Sequence, residues 1–349
     1  MEIRELLRQG VQQNASDLHC TTNAFPALRV GGEIIDIHTG RLTGEEIKAF
    51  IHEITENSHR EELEVAGEVD FSFSFDGIGR FRANAYKQRG EPSLAVRIIP
   101  KEIPPMETLG LPPAVRILAN KARGLVVATG PTGAGKTTTL AALIDAINDT
   151  RRANIITLED PIEYLHQNKR CLINQREVKS DTKTFAAGLR AALREDPDII
   201  LVGEMRDLET ISIALTAAET GHLVLTTLHT GGAAQTVDRI IDVFPAQQQQ
   251  QIRTQLSLTL QGVIAQQLLP AKNGGRVLAA EILLASPAIR NLIRDGKTHQ
   301  IASSIQTSAK DGMKLMDTSI RELLQAGIID YKTAVMAAIE PEKMEGATR

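Results

Sequence analysis

The sequence has no tryptophan, and aromatic residues make up only 3% of its 349 positions. Stacking platforms for single-stranded nucleic acid are built from such side chains, so that function class is disfavoured. The formal net charge of −4 supplies no basic field to draw in DNA or RNA, and no direct nucleic-acid partner is expected. Cysteine is scarce as well: Cys20 and Cys171 stand far apart and form no C-x-x-C pair. That usage suits a reducing compartment and offers no thiolate zinc site. No run of 18 apolar residues occurs, and the start Met1-Glu2-Ile3-Arg4-Glu5 lacks the apolar core of a signal peptide. A cytoplasmic protein without a transmembrane segment is expected, one that reaches a membrane only through a partner.

What is present is an ordinary globular balance, 42% hydrophobic and 23% charged. The length fits two domains with cores large enough to need no disulfide. Residues 1–99 read as a small α+β domain. Ile3, Leu6, Leu7 and Val11 recur at helical spacing, and Thr43-Gly44-Glu45-Glu46 is a capping box that opens a second helix. Val69-Asp70-Phe71-Ser72-Phe73-Ser74-Phe75 alternates strictly, placing four apolar side chains on one face of a strand. Two further strands are expected over 80–87 and 93–99, giving a hairpin-rich sheet with helices on one side.

Prolines 100, 104, 105, 112 and 113, with Gly110 among them, mark 100–113 as a linker or hinge. From 114 to 349 the pattern alternates between apolar strands and helices. Strands are expected at Leu125–Thr129, Ile155–Leu158, Ile199–Val202 and Leu223–Thr227, each a nearly continuous apolar run of the kind covered on both faces. Such a βαβ series predicts an α/β fold with a mainly parallel sheet. The polar run Gln247–Gln251 reads as a helix surface, and segments near 286–294, 298–308, 316–326 and 331–338 read as helices.

Gly130-Pro131-Thr132-Gly133-Ala134-Gly135-Lys136-Thr137 matches G-x-x-x-x-G-K-[ST] in full, with a strand just before it and the helix from Thr138 just after. Glycine at these positions lets successive N–H groups turn inward around a phosphate. The helix start adds its positive dipole end, Lys136 a cation, and the Thr137 hydroxyl a ligand for Mg²⁺. ATP, or another nucleoside triphosphate, with Mg²⁺ is therefore expected here.

Hydrolysis also needs a carboxylate on the metal side and one that orients water. Asp198–Val202 is an apolar strand followed by Gly203-Glu204, the Walker B arrangement; Gly203 holds the place where many phosphate-loop proteins have Asp, so Glu204 alone would face the metal's water shell. A plain capping carboxylate fits the same residues. Thr157-Leu158-Glu159-Asp160-Pro161-Ile162-Glu163 puts three acids in five positions after another strand. Glu163 is the candidate for polarising the attacking water, although a solvated turn has the same pattern. His222 and His229 bracket the strand 223–228. They suit either a γ-phosphate sensor or structural roles, and their spacing is not that of a metal site.

Together and in this order, the phosphate loop, acidic box, Walker B strand and histidine box resemble the secretion ATPase superfamily, the hexameric RecA-like motors of type II secretion and type IV pili. The resemblance covers essentially the whole chain and implies a RecA-like ATPase domain preceded by a PAS-like domain. The absence of an additional N-terminal domain and of a tetracysteine motif resembles the pilus-retraction branch. So does Ala288-Ile289-Arg290-Asn291-Leu292-Ile293-Arg294, which from its residues alone is only an amphipathic helix.

The resemblance implies that Glu163 is the catalytic glutamate, Glu204 the Walker B acid, and His222 and His229 the histidine-box pair. It implies ATP contacts from the loop and from arginines of the first domain. Arg80 and Arg82 share one strand face, so alternation does not choose between them; Arg82 and Arg97 are taken as the pair. It further implies a homohexamer, an inner-membrane pilus platform protein as partner beside other pilus machinery, and a place at the cytoplasmic face of that membrane. An accessory pilus ATPase paralogue, a nucleic-acid translocase, a non-motor ring and a phosphate-loop kinase are the alternatives weighed. Arg290 and Arg294 are expected to serve force transmission rather than hydrolysis.

Overall fold

A computed structural model describes residues 1–100 and 102–345. Lys101, inside the expected linker, and 346–349, at the end of the expected ATPase domain, lie outside the described residues. The chain divides into two units, Met1–Glu102 with Glu163–Leu165, and Ile103–Ile162 with His166–Arg349. Among the described residues no helix is long and apolar enough to cross a membrane.

In the first unit the order is α1 (Ile3–Gln12), β1 (Asp17–Thr21), β2 (Ala27–Val30), β3 (Glu33–Asp36), α2 (Gly44–Ile54), α3 (Asn57–Ala66), β4 (Glu68–Phe75), β5 (Gly79–Gln88) and β6 (Glu91–Ile98). The strands form an antiparallel sheet ordered β3-β2-β1-β6-β5-β4. The capping box at α2 is real: Thr43 Oγ1 accepts from Glu46 N–H at 3.2 Å, and the Glu46 carboxylate accepts from Thr43 N–H at 2.9 Å. Ile3, Leu6 and Leu7 of α1 and Ile47, Phe50 and Ile51 of α2 pack on Leu18, Leu28, Phe81, Ala83 and Val96 of the sheet. Strand alternation gives the opposite face to Asp17, Arg29, Arg82 and Arg97, which the register sets side by side. Asp17 Oδ1 holds Arg97 Nε at 3.2 Å.

The second unit runs α4 (Val115–Ala119), β7 (Gly124–Thr129), α5 (Lys136–Thr150), β8 (Asn154–Glu159), β9 (Leu172–Glu177), α6 (Phe185–Ala192) and β10 (Ile199–Val202). It continues with α7 (Leu208–Glu219), β11 (Leu223–Leu228), α8 (Ala233–Asp242), α9 (Ala246–Thr259), β12 (Leu260–Pro270) and β13 (Arg276–Leu284). Helices α10 (Pro287–Arg294), α11 (Ile301–Thr307), α12 (Met316–Gln325) and α13 (Tyr331–Ala337) follow.

The sheet order is β13-β12-β7-β11-β10-β8-β9, parallel throughout except for β13. The phosphate-loop strand β7 is central and wholly buried. Its Leu125 and Val127 pack towards α7, α8 and α9, and its Val126 and Ala128 towards α4 and α5. Side chains buried this fully each contribute roughly 1.5–3 kcal/mol when they are Val, Leu or Ile. Among the described residues the strands β1, β2, β3, β9, β12 and β13 were not expected from the sequence, whereas the four apolar strands and the C-terminal helices fall where they were. Glu281 of β13 ties two helices to the sheet, accepting from Ala233 N–H at 2.7 Å and Met316 N–H at 3.3 Å. Burial pushes its carboxyl above the usual range, against those two hydrogen bonds.

Candidate active site

Parallel pairing brings the loop ends of β7, β10 and β11 together. Leu228 lies opposite Thr129, so Gly130 and His229 leave the sheet as neighbours. The two exits are bonded: Thr129 Oγ1 accepts from Thr230 N–H at 2.9 Å and stands 2.7 Å from Thr230 Oγ1, itself 2.7 Å from Thr236 Oγ1.

Gly130, Gly133 and Gly135 have φ of 141°, 79° and 85°. These are backbone states that L side chains avoid. At Gly130 a Cβ would also fall 2.3 Å from Gln266 O of β12. Ala134 and Lys136 are buried, whereas Pro131 and Thr132 are exposed and Thr137 and Thr138 half-buried. Lys136 Nζ donates to Gly130 O at 2.8 Å and Pro131 O at 3.0 Å, and stands 3.5 Å from His229 Nδ1. Burial lowers the Lys136 pKa, and the Glu204 charge opposes that. Beneath the loop Gln266 Nε2 donates to Thr139 Oγ1 at 2.8 Å.

His229 Nε2 lies 3.3 Å from Glu204 Oε1. An ammonium has donors only, so Nδ1 accepts and Nε2–H donates to the carboxylate. His229 therefore links the loop lysine to the Walker B acid. Glu204 Oε2 also pairs with Arg206 at 2.8 Å, with side-chain exposures of 18% for Glu204 and 75% for Arg206. Burial is the largest single effect on Glu204 and pushes its pKa up. The Arg206 hydrogen bond and charge, with the Lys136 charge and the His229 ring beside it, outweigh it and hold the carboxyl below its usual range.

Gly203 has a steric reason. Its Cβ would stand 3.1 Å from Leu158 O and 3.4 Å from Glu159 Cα, against backbone that must give way. A side chain is crowded out there, and the carboxylate comes one residue later.

The structure does not bring His222 to this cluster. It precedes β11 at the opposite edge, about 20 Å away at ~3.3 Å per strand residue. There its Nδ1 donates to Ala217 O at 3.0 Å in the last turn of α7. Within the chain it bonds the end of α7 and does not stand beside His229. Glu163 is exposed on the segment after β8. Arg82 and Arg97 lie on the first unit's sheet.

The motif segment forms helix α10, with Ile289 and Ile293 buried as its spacing predicts. Arg290 is half-buried, and its Nη1 donates to Ser257 O at 2.6 Å and Leu258 O at 2.8 Å, the carbonyls that end α9. Arg294 is exposed and pairs with Asn291 Oδ1 at 2.7 Å. The two arginines are thus not equivalent surface charges. Sequence reasoning missed Thr129, Thr230, Gln266 and Arg206. Thr129 and Thr230 bond across 101 residues and Gln266 and Thr139 across 127, separations that leave no local pattern. Arg206 was in view beside Glu204, and its opposite charge was the available signal.

Residues 73–335 match the family described as type II/IV secretion system protein. The chain is 48% identical to the type IV pilus retraction ATPase PilT of Pseudomonas aeruginosa over 342 residues, covering 98% of this chain and 99% of that one. It is 47% identical over 343 residues to the twitching motility protein of Neisseria gonorrhoeae, covering 98% and 92%. A crystal structure of the pilus retraction motor PilT with bound ADP superposes with a TM-score of 0.93 at 48% identity, covering 99% of each chain. The chain belongs to the type II/IV secretion system protein family.

Proposed function

We propose that this protein is a motor ATPase that couples ATP hydrolysis to retraction of type IV pili and so to twitching motility. The observation that carries the reading is the Lys136–His229–Glu204 chain at the phosphate loop, in a protein similar along its length to a retraction ATPase.

In this reading the N–H groups of the loop from Gly130 to Thr138 cradle the phosphates. Lys136 exchanges its carbonyl partners for β and γ oxygens. Thr137 and Glu204 fit Mg²⁺, since a hydroxyl and a half-buried carboxylate are hard oxygen donors of the kind a cation that keeps several waters takes. When bound, that ion would neutralise charge on the phosphate oxygens. Glu163 accepts the proton of the attacking water. The water oxygen bonds to the γ-phosphorus as the bond to the bridging oxygen breaks, and its electron pair leaves with ADP. His229 fixes Glu204 relative to Lys136. We assign Arg82 and Arg97 to charge developing on the γ-phosphate, worth ~10³–10⁵ in rate for such arginines elsewhere.

The motor would be a ring of six copies at the cytoplasmic face of the inner membrane, acting on a platform protein and the rest of the pilus machinery. The hinge is placed at 100–113. Deleting the gene in a piliated host is the test. Abundant pili that do not retract are expected; loss of pili altogether would contradict the reading.

A further inference from the structure

The edge strand β9 carries polar side chains that the hydrolytic scheme leaves unused. Its pairing with β8 sets Gln175 opposite Thr157 and Glu177 opposite Glu159. Alternation puts all four on one face. Both carboxylates are only 7% exposed. Within the group Thr157 Oγ1 donates to Glu159 Oε1 at 2.7 Å, and Gln175 Nε2 donates to the same oxygen at 3.1 Å.

Two further acceptors reach the backbone of the segment that carries Glu163. Glu177 Oε2 accepts from Ile162 N–H at 3.1 Å, and Gln175 Oε1 accepts from His166 N–H at 2.8 Å. The two bonded amides bracket residues 163–165. Glu177 is itself fixed, because Asp181 Oδ2 accepts from its N–H at 2.7 Å. A loop held at one end swings about that end; held at both ends four residues apart, it presents its first free side chain in a narrow range of places. That side chain is Glu163.

From this geometry we infer that Glu177 and Gln175 are positioning residues for Glu163, aligning its carboxylate for proton abstraction without touching nucleotide. The inference rests on the reading of Glu163 as the base. Misplacement of a reacting group by about 1 Å costs up to ~10²-fold in rate.

Steady-state phosphate release and ADP affinity of the full-length protein separate the possibilities. Glu177→Ala should lower kcat about ten- to a hundredfold while leaving ADP affinity unchanged. Glu177→Gln, which keeps an acceptor for Ile162 N–H, should restore most of the rate. Amide exchange at Ile162 should quicken in the alanine variant alone. If Glu177→Ala does not fold, Gln175→Ala should give the same split between kcat and ADP affinity, with faster exchange at His166. An unimpaired kcat in these alanine variants, beside an inactive Glu163→Gln, would overturn the positioning alone. Parallel loss of kcat and ADP affinity would reduce the pair to a structural role. Normal turnover by Glu163→Gln would overturn the role of Glu163 itself, and this inference with it.

Discussion

At the residue scale the site depends on a few side chains and on some that are missing. Gly130 is the sharpest case, because a methyl group there meets a backbone oxygen, not a movable side chain. With φ of 141° added, Gly130→Ala should cost about 1–3 kcal/mol of strain where the phosphate sits. Nucleotide affinity should fall about ten- to a hundredfold, measurable by titration calorimetry. Glu204 sets a pH dependence. Its pKa is lowered in the folded protein, so its bonds to Arg206 and His229 are intact above the usual carboxylate range. They are lost as pH falls through the lowered value. In Arg206→Ala the burial that pushes the carboxyl up loses its main opponent. The acid limb of the kcat/KM profile should then move to higher pH; a profile that stays in place would count against the coupling.

At the scale of elements, the loop, the Walker B acid and His229 were legible because each follows a strand that announces itself by a continuous apolar run. β7, β10 and β11 are buried on both faces, and no amphipathic alternative competes. β9 was not legible. Leu172-Ile173-Asn174-Gln175-Arg176-Glu177 is a polar edge strand whose identity comes from pairing with β8. The β12–β13 hairpin continues straight from α9, Thr259 passing to Leu260 with no turn between them and Gly262 already inside the strand. Sequence places His222 and His229 at the two ends of β11 but does not say which end meets the exits of β7 and β10; that is the His229 end. Helix α10 allows a separable prediction. Arg290→Ala strips two partners from the carbonyls ending α9 and should cost about 1–3 kcal/mol. Arg294→Ala should stay within about 0.5 kcal/mol. Denaturant unfolding checks both, and equal costs would refute the asymmetry.

At the scale of the whole molecule, a mainly parallel sheet puts its loops at one edge, and Lys136, Glu204 and His229 gather where β7, β10 and β11 end. The same parallel order carries β8 and β9, so the segment bearing Glu163 leaves the same sheet. We propose that ATP is hydrolysed at this edge with Glu163 as the base. Phosphate release by the purified protein, wild type against Glu163→Gln, tests it most directly when ADP binding is measured on the same samples. The variant should keep its ADP affinity within about twofold and lose at least about a hundredfold in turnover. Turnover by Glu163→Gln at the wild-type rate would contradict it.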